Sequence, residues 1–308
     1  MAELSLCDFL FTIQTMIVSQ LCIYPIKSCQ GIKLQTAKVT VKGLLWDREM
    51  MVVSQRGKFL TQRQFPQLAK VRVELSNDLL TIEEVDSVAS QITLSVVDDS
   101  IQPLSFNPTF KGRKIEVEVW GDRTLAIDQG DRVAHWFHQV LKLDDTKQCR
   151  LVRQSPQHPR LTKQQYEQNS HNVVSFADSY PCLLTTTASL AELNRRIIDT
   201  YQSSDHLVTM DRFRSNIVVE TELPFDEDRW KIVEIGSLKF NLVKPCSRCI
   251  ITTINQQNSD RNKLREPLRT LGTFRQFGEQ GVMFGENIAP ETSGTIAVGD
   301  RLRVLQTR

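Results

Sequence analysis

The sequence lacks a large excess of charge of either sign. Its 38 lysine and arginine residues nearly balance its 36 aspartate and glutamate residues, which leaves a formal net charge of +2. A protein that holds duplex nucleic acid or an anionic membrane by its overall charge needs a stronger imbalance. The composition therefore argues against both partners, although a local cluster of cations can still act.

The sequence also lacks an apolar run long enough to cross a membrane as a helix. The most apolar stretch, near the N-terminus, is interrupted by Gln14 and Gln20, whereas a span needs roughly 18 consecutive apolar residues. The basic region of a signal peptide is missing as well. Because Met16 opens a stretch that is typical of a strand, residues 1–15 are interpreted as a possible N-terminal extension.

The cysteines show no regular spacing. There are seven, and an odd, irregular set argues against a disulfide framework and fits a reducing compartment. We therefore expect a cytoplasmic protein. The sequence contains no Walker-type glycine-rich loop, no G-x-G-x-x-G after a strand and no Ser-His-Asp grouping, so the commonest nucleotide-binding and hydrolase motifs are absent.

Alternation of apolar and polar residues predicts that strands dominate the fold. The stretch KIEVEVWGDR predicts a half-buried strand that turns at Gly121-Asp122. The same alternation occurs at residues 238–242. Near the C-terminus, Gly299-Asp300 is predicted to join two short strands as a hairpin.

Helices are fewer, and two amphipathic segments predict them. The segment DRVAHWFHQVLKL places its apolar residues on one face, with Asp131 as the predicted N-cap. The segment TTTASLAELNRRIIDT predicts a second helix, in which Ser189 and Glu192 match a capping box. The fold class is therefore predicted to be α+β and rich in β-structure.

A polar, glutamine-rich stretch with two prolines separates these helices and predicts a linker. We place the linker at residues 146–170, between a first domain at 16–145 and a second at 171–308. Its basic residues include Lys147, Arg150, Arg153, Arg160 and Lys163. A nucleic-acid-binding β-barrel could use them, but no aromatic residue lies among them for base stacking.

The pair Cys246 and Cys249 permits four interpretations. Half of a zinc site is disfavoured because the other cysteines are isolated. A redox dithiol prefers a helix N-terminus, whereas the β-branched residues 250–254 favour a strand. A single thiolate ligand to a soft metal remains open, since Lys244 and Arg248 would favour the deprotonated thiol. Two ordinary buried thiols are the fourth interpretation.

Four motifs carry a resemblance to a known family. The stretches YPIKSCQGIKL, RFRSNIVVE, PFDEDRWKIVEIG and KPCSRCIITTIN occur in this order. Together they resemble the MOSC superfamily, specifically the bacterial YcbX-type proteins and the mitochondrial amidoxime-reducing components. The resemblance covers residues 16–306. It implies a MOSC N-terminal β-barrel domain followed by a MOSC domain.

The resemblance also implies an activity. Proteins of this kind hold a molybdopterin-type molybdenum cofactor and reduce N-hydroxylated compounds such as N-hydroxylated bases and amidoximes. The second cysteine of the C-x-R-C motif is the family's metal ligand, and that position is Cys249. A soft sulfur donor on a rigid element suits such a metal. Cys246 is expected to lie beside the metal ligand without binding the metal.

Further residues are predicted to hold the cofactor. The resemblance carries cofactor contacts to Lys27, Ser28, Arg48, Arg214 and Asn216. At the start of the second predicted helix, Thr186 is predicted to bind the cofactor's phosphate. Arg48, on a predicted strand between two acids, has an alternative as a surface ion pair worth about 0–1 kcal/mol. Arg63 is interpreted as a solvated loop charge.

The expected partners follow from the resemblance and from the cysteines. Many YcbX-type proteins continue into a ferredoxin-like domain with a [2Fe–2S] centre, but no cysteine follows Cys249. We therefore expect a monomer that takes electrons from a separate donor, such as a flavodoxin-like reductase or a ferredoxin, and acts on a small N-hydroxylated substrate. The alternative is a sulfur or molybdenum-cofactor carrier that uses Cys249.

Overall fold

The computed structural model describes residues 16–76, 91–97, 100–161 and 173–308. The predicted extension, residues 1–15, lies outside them. The strands are β1 (Met16–Ile23), β2 (Ile32–Leu34), β3 (Thr36–Thr40), β4 (Gly43–Leu44), β5 (Met50–Ser54), β6 (Val71–Leu75), β7 (Ile92–Val96), β8 (Leu104–Phe106), β9 (Lys114–Val119), β10 (Asp122–Asp128), β11 (Cys149–Gln154), β12 (Arg160–Leu161), β13 (Val173–Val174), β14 (Cys182–Thr186), β15 (Ile217–Glu220), β16 (Trp230–Ile235), β17 (Leu238–Ser247), β18 (Met283–Pro290), β19 (Gly294–Ala297) and β20 (Arg301–Thr307). The α-helices are α1 (Asp131–Leu141), α2 (Thr187–Tyr201) and α3 (Leu268–Gly272).

Seven strands close into a barrel. They follow the order β15, β14, β18, β17, β16, β20 and β1, and β1 closes the ring by pairing with β15. Neighbouring strands are antiparallel except β14 and β15, which are parallel. Along β17 the residues Leu238, Phe240 and Leu242 are buried, as the alternation predicted. Closure leaves these strands without a free sheet edge.

Strand pairing joins the two halves of the sequence. The first strand, β1, belongs to the barrel formed by C-terminal strands, with Leu21 opposite Ile217. Strand β3 pairs with β19, where Ala37 lies opposite Ile296. Side chains from both halves can therefore meet at one site, although the division at residues 146–170 stays a prediction.

A second group of strands packs beside the barrel. Strands β5, β11, β10 and β9 form one sheet, and β6, β7 and β8 form another. Helix α1 contacts β11, and its Trp136, Phe137 and Leu141 are buried. In the part of the chain that the structure describes, no helix is long and apolar enough to cross a membrane.

The stretch predicted as a linker contains a core strand. Strand β11 lies between β5 and β10, with Leu151 and Val152 fully buried. The arginines on either side of Leu151 and Val152 obscure the apolar core pattern in the sequence. Arg153 is nevertheless buried and pairs with Glu49 at 2.9 Å. Residues 162–172 lie outside the described residues.

Three basic residues of this stretch, Arg150, Arg153 and Arg160, form ion pairs within the fold, whereas Lys147 is exposed and Lys163 lies outside the described residues. Arg150 pairs with Asp128 at 2.5 Å, and Arg160 is buried and pairs with Asp122 at 3.2 Å. A side chain held in this way is not free to contact a nucleic acid backbone. The described residues therefore lend no support to a nucleic-acid-binding use of this segment.

One predicted turn forms one residue earlier than predicted, and one predicted hairpin is wrong. Strands β9 and β10 pair across Trp120-Gly121, whose φ values of 53° and 88° suit a tight two-residue hairpin turn. Strands β19 and β20 do not pair with each other, because β19 joins β3 and β20 joins β16 and β1. The turn at Gly299, with a φ of 94°, moves the chain from one sheet to the other.

Both predicted helices form, but their first residues differ from the prediction. Helix α1 has Gly130 at its N-cap, and Asp131 lies in its first turn. Helix α2 has Thr186 at its N-cap, and the side chain of Thr186 accepts a hydrogen bond from the backbone N–H of Ser189. The predicted capping box is therefore wrong, and Glu192 forms ion pairs along the helix instead.

Candidate active site

A cavity of about 1890 Å³ opens beside the barrel and is lined by side chains from both halves of the chain. One wall comes from β17 and the loop after it, and another comes from loops that include residues 27–28, 48 and 59–63. The cavity brings together six of the seven residues predicted for the site: Lys27, Ser28, Arg48, Arg214, Asn216 and Cys249.

Cys249 lies directly before a short 3-10 helix, Ile250–Thr253. The strand predicted after Cys249 is therefore wrong. The Oγ1 of Thr252 donates to the carbonyl of Cys249 at 3.0 Å, and that of Thr253 donates to the carbonyl of Ile250 at 2.8 Å. Such local hydrogen bonds compete with a strand ladder, and they fix the turn that carries Cys249.

Arg63 contacts the sulfur of Cys249. Its Nη2 donates to Cys249 Sγ at 3.3 Å, and its guanidinium carbon lies 4.7 Å from the ring centroid of Trp120. The interpretation of Arg63 as a solvated loop charge is therefore wrong. Sequence reasoning missed the contact because the two residues are 186 positions apart, and a single sequence carries no signal for such a pairing.

A second guanidinium contacts the neighbouring thiol. Arg248 Nη1 donates to Cys246 Sγ at 2.9 Å, and its Nη2 donates to the carbonyl of Phe213 at 2.6 Å. Among the described residues, the buried Nε of Arg248 has no hydrogen-bond partner. We call Cys246, Cys249, Arg63 and Arg248 the thiol cluster. It places two partly exposed sulfurs beside two cations.

Two further arginines lie against a buried tyrosine. The guanidinium carbons of Arg48 and Arg214 lie 4.4 Å and 4.2 Å from the ring centroid of Tyr24. Arg48 donates to Asn216 Oδ1 at 3.0 Å and to the carbonyl of Arg214 at 3.1 Å. Arg214 Nη1 donates to the carbonyl of Cys29 at 2.8 Å. We call Tyr24, Arg48, Arg214 and Asn216 the tyrosine cluster.

The tyrosine cluster is built into the barrel. Arg48 lies in a turn with a φ of 51°, not on the predicted strand. Its partner Asp47 has only 1% of its side chain exposed, so the alternative of a surface ion pair is also wrong. The Asn216 amide accepts from the backbone N–H of Leu183 and donates to the carbonyl of Cys22, each at 3.1 Å. These bonds fix the amide that orients Arg48.

Lys27 and Ser28 lie on the loop after β1. Lys27 Nζ donates to the carbonyl of Phe176 at 2.8 Å and forms an ion pair with Asp178. Burial lowers the pKa of Lys27. Burial opposes ionisation of Asp178, yet the Lys27 ammonium holds the pKa of that carboxyl well below its usual range. Sequence reasoning missed Asp178, which is 151 positions from Lys27.

The structure does not bring Thr186 to this cavity. Thr186 is fully buried, and its Oγ1 accepts from the backbone N–H of Ser189 at 3.3 Å and donates to Glu227 Oε2 at 3.0 Å. Burial raises the pKa of Glu227 to about 7. The hydroxyl that was predicted to hold a phosphate is thus used inside the fold.

The donor set at the cavity fits a metal that brings most of its own ligands. Among the described residues, no three histidine, cysteine, aspartate or glutamate side chains are grouped to hold a metal ion. Cys249 would therefore be a single soft protein ligand. The cavity is also lined by cations that suit an anionic group: Lys27, Arg48, Arg63, Arg214, Lys244 and Arg248.

Comparison with known proteins places this chain in a family. It matches the MOSC N-terminal beta barrel domain over residues 15–144 and the MOSC domain over residues 171–303. It is 33% identical over 303 residues to mitochondrial amidoxime-reducing component 1 of Mus musculus, which covers 94% of this chain and 82% of the relative. The chain belongs to the MOSC-domain family of amidoxime-reducing components. The resemblance and the fold class predicted from the sequence are confirmed.

Other relatives extend the comparison. Mitochondrial amidoxime-reducing component 1 of Homo sapiens is 31% identical over 302 residues, covering 94% of this chain and 82% of the relative. Molybdenum cofactor sulfurase of Anopheles gambiae is 30% identical over 269 residues, covering 84% of this chain but 32% of that protein. Among solved structures, the YUAD protein of Bacillus subtilis covers 94% of each chain at 7% identity with a TM-score of 0.36, a likeness too weak to carry an argument.

Proposed function

We propose that this protein is a molybdenum-cofactor-dependent reductase that removes oxygen from N-hydroxylated compounds, with electrons from a separate donor protein. The observation that carries the proposal is Cys249, a partly exposed cavity thiol with the Arg63 guanidinium 3.3 Å from its sulfur. The names of the amidoxime-reducing relatives support the substrate class. The names of the sulfurase relatives support the cofactor.

The residues at the cavity divide the work of holding such a cofactor. Cys249 would supply the protein's metal ligand, and Arg63 would compensate the negative charge of that sulfur. Arg48, Arg214 and Lys27 would hold the anionic part of the cofactor, since their charges face the same cavity. When bound, the molybdenum cofactor supplies the redox chemistry that takes the oxygen from the N–O group.

The reaction sets what the rest of the cavity must do. For each N–OH group reduced, the N–O bond breaks, two electrons and two protons are taken up, and water leaves. The electrons come from the donor protein in single-electron steps. Apolar side chains such as Val41, Phe59 and Ile251 line part of the cavity, and they would bind the organic part of an amidoxime.

The test combines metal analysis with turnover. We expect purified protein to contain near-stoichiometric molybdenum and pterin, and to reduce benzamidoxime when reduced viologen is supplied. NADPH alone should give essentially no turnover, because the sequence contains no nucleotide-binding motif of the usual types. Protein without molybdenum or viologen-driven turnover, or robust NADPH-driven turnover by the flavin-free chain, would contradict the proposal.

A second candidate is a sulfur or molybdenum-cofactor carrier. It is favoured by the similarity to molybdenum cofactor sulfurases and by the two partly exposed thiols Cys246 and Cys249. A carrier would take the outer sulfur of a small-molecule persulfide (R–S–SH) onto Cys249 and release the thiol R–SH. The resulting Cys249 persulfide is detectable by intact mass. Persulfide transfer without amidoxime reduction would favour this candidate.

We also propose that the protein acts as a monomer in the cytoplasm. The six cysteines in the described part of the chain are free thiols, which fits a reducing compartment. Light scattering after size-exclusion chromatography and fractionation of the source cells would test the two statements separately.

A further inference from the structure

A second, smaller cavity of about 600 Å³ shares Arg248 with the active-site cavity. Its other lining residues are Lys263, Leu264, Arg265, Leu268, Arg269 and Val282. Four of its seven lining residues are therefore cationic and three are apolar. None of the described residues that line it is acidic, which sets it apart from the mixed lining of the larger cavity.

Three of the four cations at this cavity are exposed and form no ion pair with another described residue. Lys263, Arg265 and Arg269 are all exposed to solvent. Among the described residues, none of these three side chains forms an ion pair, although Arg269 shares a hydrogen bond with Tyr201. The neighbouring acid, Glu266, is fully buried, and its carboxylate accepts from Tyr201 Oη at 2.7 Å. The positive charge therefore faces outward, in a chain whose net charge is only +2.

Two contacts connect these cations to the thiol cluster. Arg248 lines both cavities, and its Nη1 touches Cys246 Sγ at 2.9 Å. The exposed side chain of Arg261 donates to the carbonyl of Arg63, whose guanidinium contacts Cys249. Arg248 thus belongs both to the small cavity and to the thiol cluster, and Arg261, close in sequence to Lys263 and Arg265, contacts the backbone of Arg63.

Apolar side chains accompany the charges. Leu264, Leu268 and Val282 are partly buried in the wall of the small cavity. Phe277 is 43% exposed in a turn that is closed by the pairing of Gln276 with Val282. An apolar centre with a charged rim is the usual composition of a protein docking surface.

We infer that Arg248, Arg261, Lys263, Arg265 and Arg269 form the docking surface for the electron donor, and that the donor presents carboxylates around its redox centre. This inference rests on the proposed function and adds the position and charge of the donor contact. Complementary charge accelerates encounter and makes it sensitive to salt. A transient electron-transfer contact needs little area, below about 1,200 Å², which a surface of this extent can supply.

The test reverses charge at two exposed cations of this surface, Lys263 and Arg265. The sulfurs of the thiol cluster are contacted by Arg63 and Arg248 instead. The holoenzyme of the double variant Lys263→Glu/Arg265→Glu is compared with wild type, using reduced flavodoxin and reduced plant-type ferredoxin as acidic donors. We expect kcat/KM for the donor to fall at least about tenfold at low ionic strength, and the salt dependence to flatten. Viologen-driven turnover should stay within about twofold, since a small reductant needs no docking surface.

The matched control reverses two exposed cations that line neither cavity, Lys33 and Arg301. Lys33→Glu/Arg301→Glu should change kcat/KM for the donor by less than about twofold. A milder pair, Lys263→Gln/Arg265→Gln, should lose less than the charge reversal and guards against misfolding of the reversed variant.

Three results would overturn the inference while viologen-driven turnover leaves the proposed function standing. The first is equal loss in the control pair, which would assign the effect to overall charge. The second is unchanged donor kinetics in Lys263→Glu/Arg265→Glu, or no donor-driven turnover by wild type. The third is loss of binding to phosphatidylserine vesicles in that variant with donor kinetics intact, which would assign the surface to lipid. Absence of viologen-driven turnover in wild type would instead remove the proposed function.

Discussion

The thiol cluster and the tyrosine cluster line one cavity but use their cations differently. In the tyrosine cluster, Arg48 and Arg214 donate to protein oxygens and lie over a buried ring. In the thiol cluster, Arg63 and Arg248 each donate to a sulfur. The first arrangement fixes each guanidinium by hydrogen bonds to the protein. The second places a guanidinium beside a sulfur that can act as a nucleophile or a ligand.

This difference indicates separate roles for the two clusters. A guanidinium already fixed by protein acceptors can receive an anion without further ordering, which lowers the entropic cost of binding. A guanidinium beside a sulfur instead places a hydrogen-bond donor next to the candidate ligating atom. We therefore expect the tyrosine cluster to hold the anionic part of the cofactor, and the thiol cluster to bind the metal through Cys249 and to tune its reactivity through Arg63.

The largest effect is expected at Cys249. Cys249→Ser replaces a soft anionic donor by a hard hydroxyl, and even loss of a residue that only supports a metal ligand typically costs 10–100-fold. Turnover of benzamidoxime with reduced viologen should fall by more than about 100-fold. The matched control is Cys149→Ser, because Cys149 is buried away from the cavity and burial raises its pKa to about 11. Similar losses of turnover in both variants would show that Cys249 has no special role compared with a buried thiol.

The next effect is expected at Arg214. Under the proposed function, Arg214→Ala would remove a charge-assisted contact to the anionic part of the cofactor, worth roughly 1.5–3 kcal/mol. Retained pterin, measured by fluorescence after oxidation, should drop about tenfold or more. Arg214→Lys should recover only part of the loss, since an ammonium lacks the planar fork. Full recovery of pterin by Arg214→Lys would mean that a positive charge at this position is sufficient and that the planar guanidinium is not required.

A smaller effect is expected at Arg63. Arg63→Ala should leave pterin content near wild type but lower kcat by about tenfold, because the sulfur of Cys249 loses its neighbouring donor. Content and rate are measured on the same preparation. A loss of pterin equal to that of Arg214→Ala would show that the two clusters do not have separate roles.

Cys246 should matter least among the cavity residues. Cys246→Ala removes the sulfur that Arg248 contacts but no metal ligand. Molybdenum should be retained, and stability should change by about 0.5 kcal/mol or less, as for a typical partly exposed site. Complete loss of metal would show that the wrong cysteine carries the ligand role, or that both take part.

Away from the cavity, Glu227 predicts a pH dependence of stability. Burial raises its folded pKa to about 7 from an ordinary value of 4.5. Between these values the native protein keeps a proton that the unfolded chain releases, so stability should fall as pH rises through this window and level off above it. Glu227→Gln should flatten that slope in urea unfolding measured at a series of pH values. An unchanged slope would contradict the assignment.

The sequence predicted what depends on local pattern or on family motif. Strand alternation identified β9 and β17, the tight turn between β9 and β10 was recognisable from Gly121, and the C-x-R-C motif singled out Cys249. These features are local, since a strand face repeats every second residue and a motif stands in one stretch.

The failures share a different origin. Five β-branched residues after Cys249 favour a strand, but the hydroxyls of Thr252 and Thr253 donate to carbonyls three residues earlier, and a 3-10 helix forms instead. Thr186 has a hydroxyl at a helix start, where it could bind a phosphate or cap the helix. In the structure this hydroxyl caps the helix and donates to the buried Glu227, so it is not available for a phosphate. Arg63 and Asp178 depended on pairings across more than 150 positions, which a single sequence does not reveal.

The most direct measurement is the molybdenum content of Cys249→Ala, purified beside wild type and Cys246→Ala and determined by elemental analysis per mole of folded protein. If Cys249 is the single protein ligand, wild type and Cys246→Ala should carry near-stoichiometric molybdenum, and Cys249→Ala should have lost most of it. Molybdenum retained in Cys249→Ala together with full turnover would contradict the central claim.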